Sequence, residues 1–429
     1  MSPIYYDLTE LYLRSRGKIK YYGIARVVAE IAYEISRIAP KVEFVVFDIG
    51  RRQFFKANPT FGQAGVNGLV DLGLPARGLP FRMPEPKPHH STVRALLQNA
   101  AVKAAKIVNS AIFPDIDKYL QPITLEGGVL ISAARPKFIA DMASFLADIG
   151  SPARLNAVIY DLIPLHDELP MPDGFRQSFI DDNAKIFRNA DQVISISHFT
   201  DKDLCSAVEA GRLPRPASHV VVPLGHECRS DGEIADIELP KKPYFLGVGI
   251  TMGRKNLDVV LNAIVKMLDA GKQPPIFVVA GVDRVRNRKA LRQSAFARAD
   301  PYVHFVNAPN QANLIKLYEN ALGTVMASKL EGWGLPLAES LWLGTPGVST
   351  PNSSLPEVGK DLAVYFNPDD PDELAAIFDR FMNDKDYYNS LRAKVRASKP
   401  QLRSWADVAD DLLSAARSND AIVSQPYAA

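Results

Sequence analysis

The densest chemistry in the chain lies in residues 329–346, KLEGWGLPLAESLWLGTP. A strand-like run, Gly323–Ala327, feeds a Gly332-Trp333-Gly334 turn, and Pro336 suits the first helical positions because its missing N–H would be unpaired there anyway. The helix carries Leu337, Leu341 and Trp342 and stops at Gly344 before Pro346. Such a turn aims several unpaired N–H groups, with Leu335 among them, at one point. That is an anion site. Glu331 and Glu339 bracket it and can accept bonds from vicinal hydroxyls, so the segment suits a ligand with phosphate in the middle and polyols on either side. Two glutamates eight apart occur by chance about once in a chain this long. The glycine turn, proline and helix stop between them carry the specificity.

A second group follows another predicted strand. Tyr244–Gly249 ends in a glycine loop, and Arg254, Lys255 and Asn256 precede an amphipathic helix over 257–270. Arg offers a planar fork and Lys a point charge, a pair suited to pyrophosphate. Their bland alternative is two solvated cations at a helix start, where the dipole opposes them.

These signals need a scaffold of parallel strands. Further strand-like runs occur at Val129–Ser132, Asn156–Tyr160, Gln192–Ser197, Ser218–Pro223, Ile276–Gly281, Tyr302–Val306 and Gly347–Ser349, with helical stretches at 176–190, 311–321 and 372–383 between them. Alternation at that rate predicts α/β architecture with helices on both faces. At the front, a strand, a basic loop containing Lys18 and Lys20, and a helix with Ile24, Val27, Val28, Ile31, Ile35 and Ile38 at helical spacing form a βαβ unit with the run Val42–Phe47. Residues 50–88 are rich in Gly and Pro without a period and are expected to be a mobile surface loop; 91–111 return to helical spacing. The polar stretch 230–243 marks a domain boundary.

The 429 residues are enough for two domains with their own cores. Cys205 and Cys228 cannot staple such a chain, and no CxxC or Cys/His spacing suggests structural zinc, so the compartment is expected to be reducing. No apolar run reaches the roughly 18 residues needed to span a bilayer. A net charge of +2 gives no reason to expect nucleic acid, although residues 1–150 carry a basic excess. The expected location is cytoplasmic. Helix 91–111, with Arg94, Lys103 and Lys106, leaves peripheral contact with an anionic inner membrane face open beside plain core packing.

Taken together, RKN after a strand, EGWGLPLAE, PLGHE (223–227) and ISISHFTDKDL (194–204) resemble a retaining glycosyltransferase of the GT4 family. YYDLTEL, YGIARV and YDLIPL (160–165) are similar to segments of bacterial polysaccharide and O-antigen mannosyltransferases. The resemblance implies a GT-B fold, two Rossmann-like domains facing each other across a cleft. It implies an N-terminal acceptor domain over 1–235 with an irregular insertion at about 50–125, a nucleotide-sugar domain over 236–403, and a C-terminal helix over 404–429 crossing back.

By the same resemblance, Glu339 takes the ribose hydroxyls and Glu331 the donor sugar, while the amides of Gly332, Trp333, Gly334 and Leu335 meet sugar and phosphate. Arg254 and Lys255 neutralise the pyrophosphate, with Gly249 and Asn256 beside them. Backbone near Asn307 meets the base, and Gly23 approaches the donor phosphates. No cofactor or metal is expected. Relatives often carry His-Asp where this chain has Tyr160-Asp161, so a base role there falls to Asp161 or is absent, and Asp161 has a turn-capping alternative. His166 is a candidate substitute, although a lone His near a strand end is more often a plain polar contact. Lys18 and Lys20 either hold an acceptor diphosphate or are solvated.

The implied reaction moves a hexose from a nucleotide sugar, with GDP-mannose the leading donor, to a lipid-linked or polysaccharide acceptor. UDP-glucose, UDP-galactose and GDP-fucose stay open. Other classes fit less well. A dehydrogenase needs G-x-G-x-x-G, which GVGITMG does not supply. An epimerase of the same architecture would lack the EGWGLPLAE arrangement. A non-catalytic scaffold subunit would be expected to have lost one of Arg254, Lys255, Glu331 or Glu339.

Overall fold

The computed structural model describes residues 2–12, 23–62, 69–73, 100, 104, 119–229, 235–251, 253–281, 288–289 and 291–418. The chain divides into two compact units, one of residues 1–223 joined by the chain from Trp405 onward, the other Leu224–Ser404.

The first unit is built on β1 (Ile4–Asp7), β2 (Glu43–Asp48), β3 (Gln53–Ala57), a short pair β4 (Thr60–Phe61) and β5 (Val70–Asp71), β6 (Gln121–Ile123), β7 (Val129–Ser132), β8 (Arg154–Ile159), β9 (Gln192–Ser195) and β10 (His219–Val221). Its main sheet runs β10-β9-β8-β7-β1-β2-β3-β6, parallel except at β3. That antiparallel strand corrects the expectation of a wholly irregular segment from Gly50. Chain reversal at Ile49–Arg52 pairs Phe47 with Phe54, and their rings lie 4.8 Å apart over Phe145. The run QFFKA is too short to show a period, and its phenylalanines are fixed by the partner strand rather than by their neighbours in sequence. Helix 91–111 falls almost wholly outside the described residues.

The helix Ile24–Ile38 buries Val27, Val28, Ile31 and Ile35 as its spacing requires, while Ile38 at its end is exposed. Helix Trp405–Arg417 packs on it, burying Trp405, Val408, Leu412 and Leu413. Beneath them, Asp7 ends β1 fully buried and accepts hydrogen bonds from the Ser132 hydroxyl at 2.6 Å and from Thr9. Burial pushes its carboxyl up to about 6, despite those bonds, which pull the other way. The folded chain therefore holds this proton through a pH range where the unfolded chain has lost it. Stability is expected to fall as pH rises from about 4 to about 6, by on the order of 3 kcal/mol from this group alone. Asp7→Asn should flatten that part of a denaturation-versus-pH curve.

The second unit holds β11 (Tyr244–Val248), β12 (Ile276–Gly281), β13 (Val303–Asn307), β14 (Gly323–Met326), β15 (Gly347–Ser349) and β16 (Ala363–Tyr365), in the order β13-β12-β11-β14-β15-β16. Every pair is parallel. One face packs under helices Leu257–Asp269 and Pro371–Asn383 through Phe245, Phe277, Val260, Ile264 and Phe378. The other packs on Leu314, Leu317 and Tyr318 of helix Gln311–Asn320. No helix among the described residues is long and apolar enough to cross a membrane.

Candidate active site

From β11 the second sheet grows one way through β12 and β13 and the other way through β14, β15 and β16. Loops leaving the carboxyl ends of β11 and β14 therefore part, and the crevice between them is where open α/β sheets place ligands. Both predicted groups lie there. After β11 the chain passes Gly249 and makes a tight turn at Gly253–Lys255. After β14 it runs through Lys329–Gly334. The Lys329 N–H donates to the Arg254 carbonyl at 2.9 Å, joining the two loops. Lys255 Nζ forms an ion pair with Glu331, and Arg254 lies 3.7 Å from the same carboxylate while its guanidinium donates to the Leu330 carbonyl. Arg254, Lys255 and Glu331 are thus one partly exposed charge cluster. Asn256 differs: it takes a left-handed conformation and its amide donates to Pro368 O at 2.8 Å, so its side chain holds the loop.

The glycine turn is held from outside by the segment after β15. Ser353 Oγ accepts from the Glu331 N–H at 2.9 Å, Ser354 Oγ donates to the Trp333 carbonyl at 2.8 Å, and Thr350 Oγ1 donates to Ser328 O at 2.7 Å. Gly334 then caps the helix Leu335–Trp342: its carbonyl accepts from the Leu337 and Ala338 N–H groups at 3.0 and 3.1 Å, and the helix N-terminus, with its positive dipole end, follows directly on the loop that carries Glu331. Trp333 is buried edge-on to His226 of the PLGHE motif, with ring centres 5.9 Å apart. Burial lowers the His226 imidazole to about 4, so it is neutral at neutral pH.

Glu339, one turn into the helix, is buried and accepts from Tyr318 Oη at 2.8 Å. If Glu339 grips the donor, Tyr318→Phe should raise donor KM by roughly 5- to 30-fold, the equivalent of about 1–2 kcal/mol, with kcat little changed in steady-state titrations. Asn307 ends β13, exposed at the same edge of the sheet.

In the first unit the predicted residues are more dispersed. Tyr160 follows β8, but its hydroxyl donates to the Ala133 carbonyl at 2.6 Å, and burial raises it well above an ordinary phenol. Asp161 accepts from the Ile163 N–H at 3.1 Å, the turn-capping arrangement. His166 sits between Asp203 at 3.0 Å and Glu168 at 3.3 Å. Gly23 caps the helix Ile24–Ile38 with φ 57°. Lys18 and Lys20 lie outside the described residues.

Sequence reasoning missed Glu10 and Arg135. Arg135 grips the fully buried Glu10 with two side-chain bonds of 2.9 and 3.0 Å, across the ends of β1 and β7 where this sheet also changes direction. Ser353, Ser354 and Tyr318 were missed as well. The Ser-Pro-rich run after Gly347–Ser349 was the one local signal for the two serines, and Tyr318 had none.

Residues 232–398, within the second unit, match the family model for glycosyl transferases group 1. That match covers less than half of the chain, which is similar to that group there, and the chain's two parallel-sheet units have the GT-B fold. It is similar to the serotype-specific mannosyltransferase WbdA of Escherichia coli, 24% identical over 268 residues that make up 60% of this chain and 32% of that one. It is likewise similar to the O-antigen chain mannosyltransferase B of Escherichia coli, 24% identical over 42% of this chain and 46% of that one. The match to WbdA thus spans about a third of that relative's length. Among solved structures, sucrose-phosphate synthase of Thermosynechococcus elongatus superposes with a TM-score of 0.62 at 15% identity, over 97% of this chain and 98% of that one. HepE of Anabaena, in complex with UDP-glucose, gives 0.58 at 12% identity, over 97% and 99%.

Proposed function

We propose that the chain is a retaining hexosyltransferase that moves a sugar, mannose from GDP-mannose in the leading reading, onto a glycan or lipid-linked acceptor. One observation carries the reading: Arg254, Lys255 and Glu331 converge beside a glycine-capped helix N-terminus at the point where the second sheet changes direction. A nucleoside diphosphate needs fixed positive charge there, because breaking the anomeric C–O bond leaves an extra negative charge on the departing phosphate. Arg254, Lys255 and the backbone amides from Gly332 to Leu335 supply it. Lys255 leaves Glu331 for the diphosphate, and Glu331 turns to the sugar hydroxyls.

The acceptor oxygen attacks the anomeric carbon on the face the diphosphate leaves. Its proton passes to the leaving phosphate oxygen, so no side chain needs to act as base and Tyr160 need not replace an imidazole. Mannose is favoured by the names of the similar O-antigen enzymes. The UDP-glucose bound in HepE keeps a uridine donor as the alternative. The test is a panel of nucleotide sugars assayed for nucleoside diphosphate release. One donor should be cleaved, with activity lost in Glu331→Ala and Lys255→Ala and unchanged by a chelator. Absence of cleavage and of binding across the panel would overturn the proposal in favour of a scaffold role.

A further inference from the structure

The helix His198–Glu209 begins at Ser197, whose hydroxyl accepts from the Thr200 N–H at 3.0 Å and fixes the first turn. Asp201 and Cys205, four residues apart, therefore lie one above the other on the same helix face. Strand β10 brings His219 against that face, in register with Val193 of β9. His219 Nδ1 lies 2.8 Å from Asp201 Oδ1, and one ligand atom from each of Asp201, Cys205 and His219 falls within 4.8 Å of the other two.

We infer that Asp201, Cys205 and His219 form a binding site for a zinc-like divalent cation. Ligand atoms around a tetrahedral zinc are separated by about 3.3–3.8 Å, given bonds of about 2.0–2.3 Å, so small rotamer adjustments close this set onto a metal. The donor chemistry selects the ion. One thiolate, one imidazole and one carboxylate suit zinc and its borderline neighbours, whereas magnesium and calcium take oxygen. Thiolate and carboxylate balance the two positive charges, and a water completes four-coordination. Asp201 is 8% exposed, and the Ser195 hydroxyl at 3.4 Å from Oδ1 helps to orient its carboxylate, as outer-sphere groups do around metal ligands.

The three residues come from two elements and meet only in the fold, so no Cys/His spacing could report them. None is among the residues assigned to sugar transfer, so loss of this site and loss of the transferase reading are separable results. The bound ion would clamp the edge strand β10 to the helix, replacing an ion pair with coordination bonds.

The probe is cobalt chloride, added to the full chain after dialysis against a chelator and removal of the chelator. One equivalent should produce a thiolate-to-cobalt charge-transfer band, zinc chloride should displace it, and zinc should raise Tm. Cys205→Ser should abolish the band, and His219→Ala should weaken cobalt binding at least tenfold, with far-ultraviolet circular dichroism confirming that both fold. Cys228→Ser should keep the band, because Cys228 is buried elsewhere and accepts from Gln311 Nε2 at 3.2 Å. No band at one equivalent, or an equal band in Cys205→Ser, overturns the inference and leaves Asp201 and His219 as an ion pair beside a passive thiol.

Discussion

Replacing Lys255 with alanine is expected to lower kcat/KM for the donor by about 10²- to 10³-fold, most of it in kcat, as losing one preorganised charge contact to a developing anion does. Arg254 does not take its place, because one guanidinium N–H tethers it to the Leu330 carbonyl and it already supplies its own charge to the diphosphate. Lys255→Arg should recover only part of the rate, since a planar fork does not occupy the place of a point charge. The substitution also removes the ion-pair partner of Glu331, whose side chain is only 11% exposed and keeps Arg254 at 3.7 Å as its remaining cation. Stability and rate can therefore be separated. Adding Glu331→Gln to Lys255→Ala should restore Tm by removing the uncompensated charge, yet leave single-turnover donor cleavage as slow as before. A kcat within threefold of the parent would show that the cluster does not stabilise the leaving group.

How much of this cluster was legible follows from how its members are joined. Each lies just past the end of a parallel strand, and a parallel sheet brings such ends to one edge, so Arg254, Lys255 and Glu331 could be grouped before their contacts were known. The bonds that hold them could not. Ser353 reaches Glu331 from the end of a different strand, and Tyr318 reaches Glu339 from a neighbouring helix. The Glu10–Arg135 pair joins residues 125 positions apart. Periodicity reports which face of an element is buried, and a long-range polar pair leaves no period. The same limit hid β3, whose Phe54 is explained by Phe47 across a turn, and it left Tyr160 open until its hydroxyl was found on the Ala133 carbonyl.

Gly334→Ala is expected to cost the protein several kcal/mol, from about 1–3 for the backbone conformation and about 1–3 for overpacking, read as a large drop in Tm. Gly334 has φ 110° and ψ 51°, a combination closed to side chains with a Cβ. A Cβ there would also lie 2.6 Å from Leu355 Cδ2. Leu355 is fully buried and belongs to the helix that follows Ser354, the residue whose hydroxyl holds the Trp333 carbonyl. Any shift that relieves the clash therefore moves the turn that presents Glu331 and the helix N-terminus. Donor affinity should fall together with Tm, unlike in Lys255→Ala, where the loss is mainly in rate. Combining Gly334→Ala with Leu355→Ala separates the two causes: removing the clash while leaving the dihedral should not return Tm to that of Leu355→Ala alone. Gly249→Ala is the internal comparison. Its φ is 64°, but nothing stands within 4 Å of the added carbon, so the overpacking part is absent and a smaller loss, of about 1–2 kcal/mol, is expected. If both glycine substitutions cost the same, the dihedral at Gly334 is not what shapes the turn.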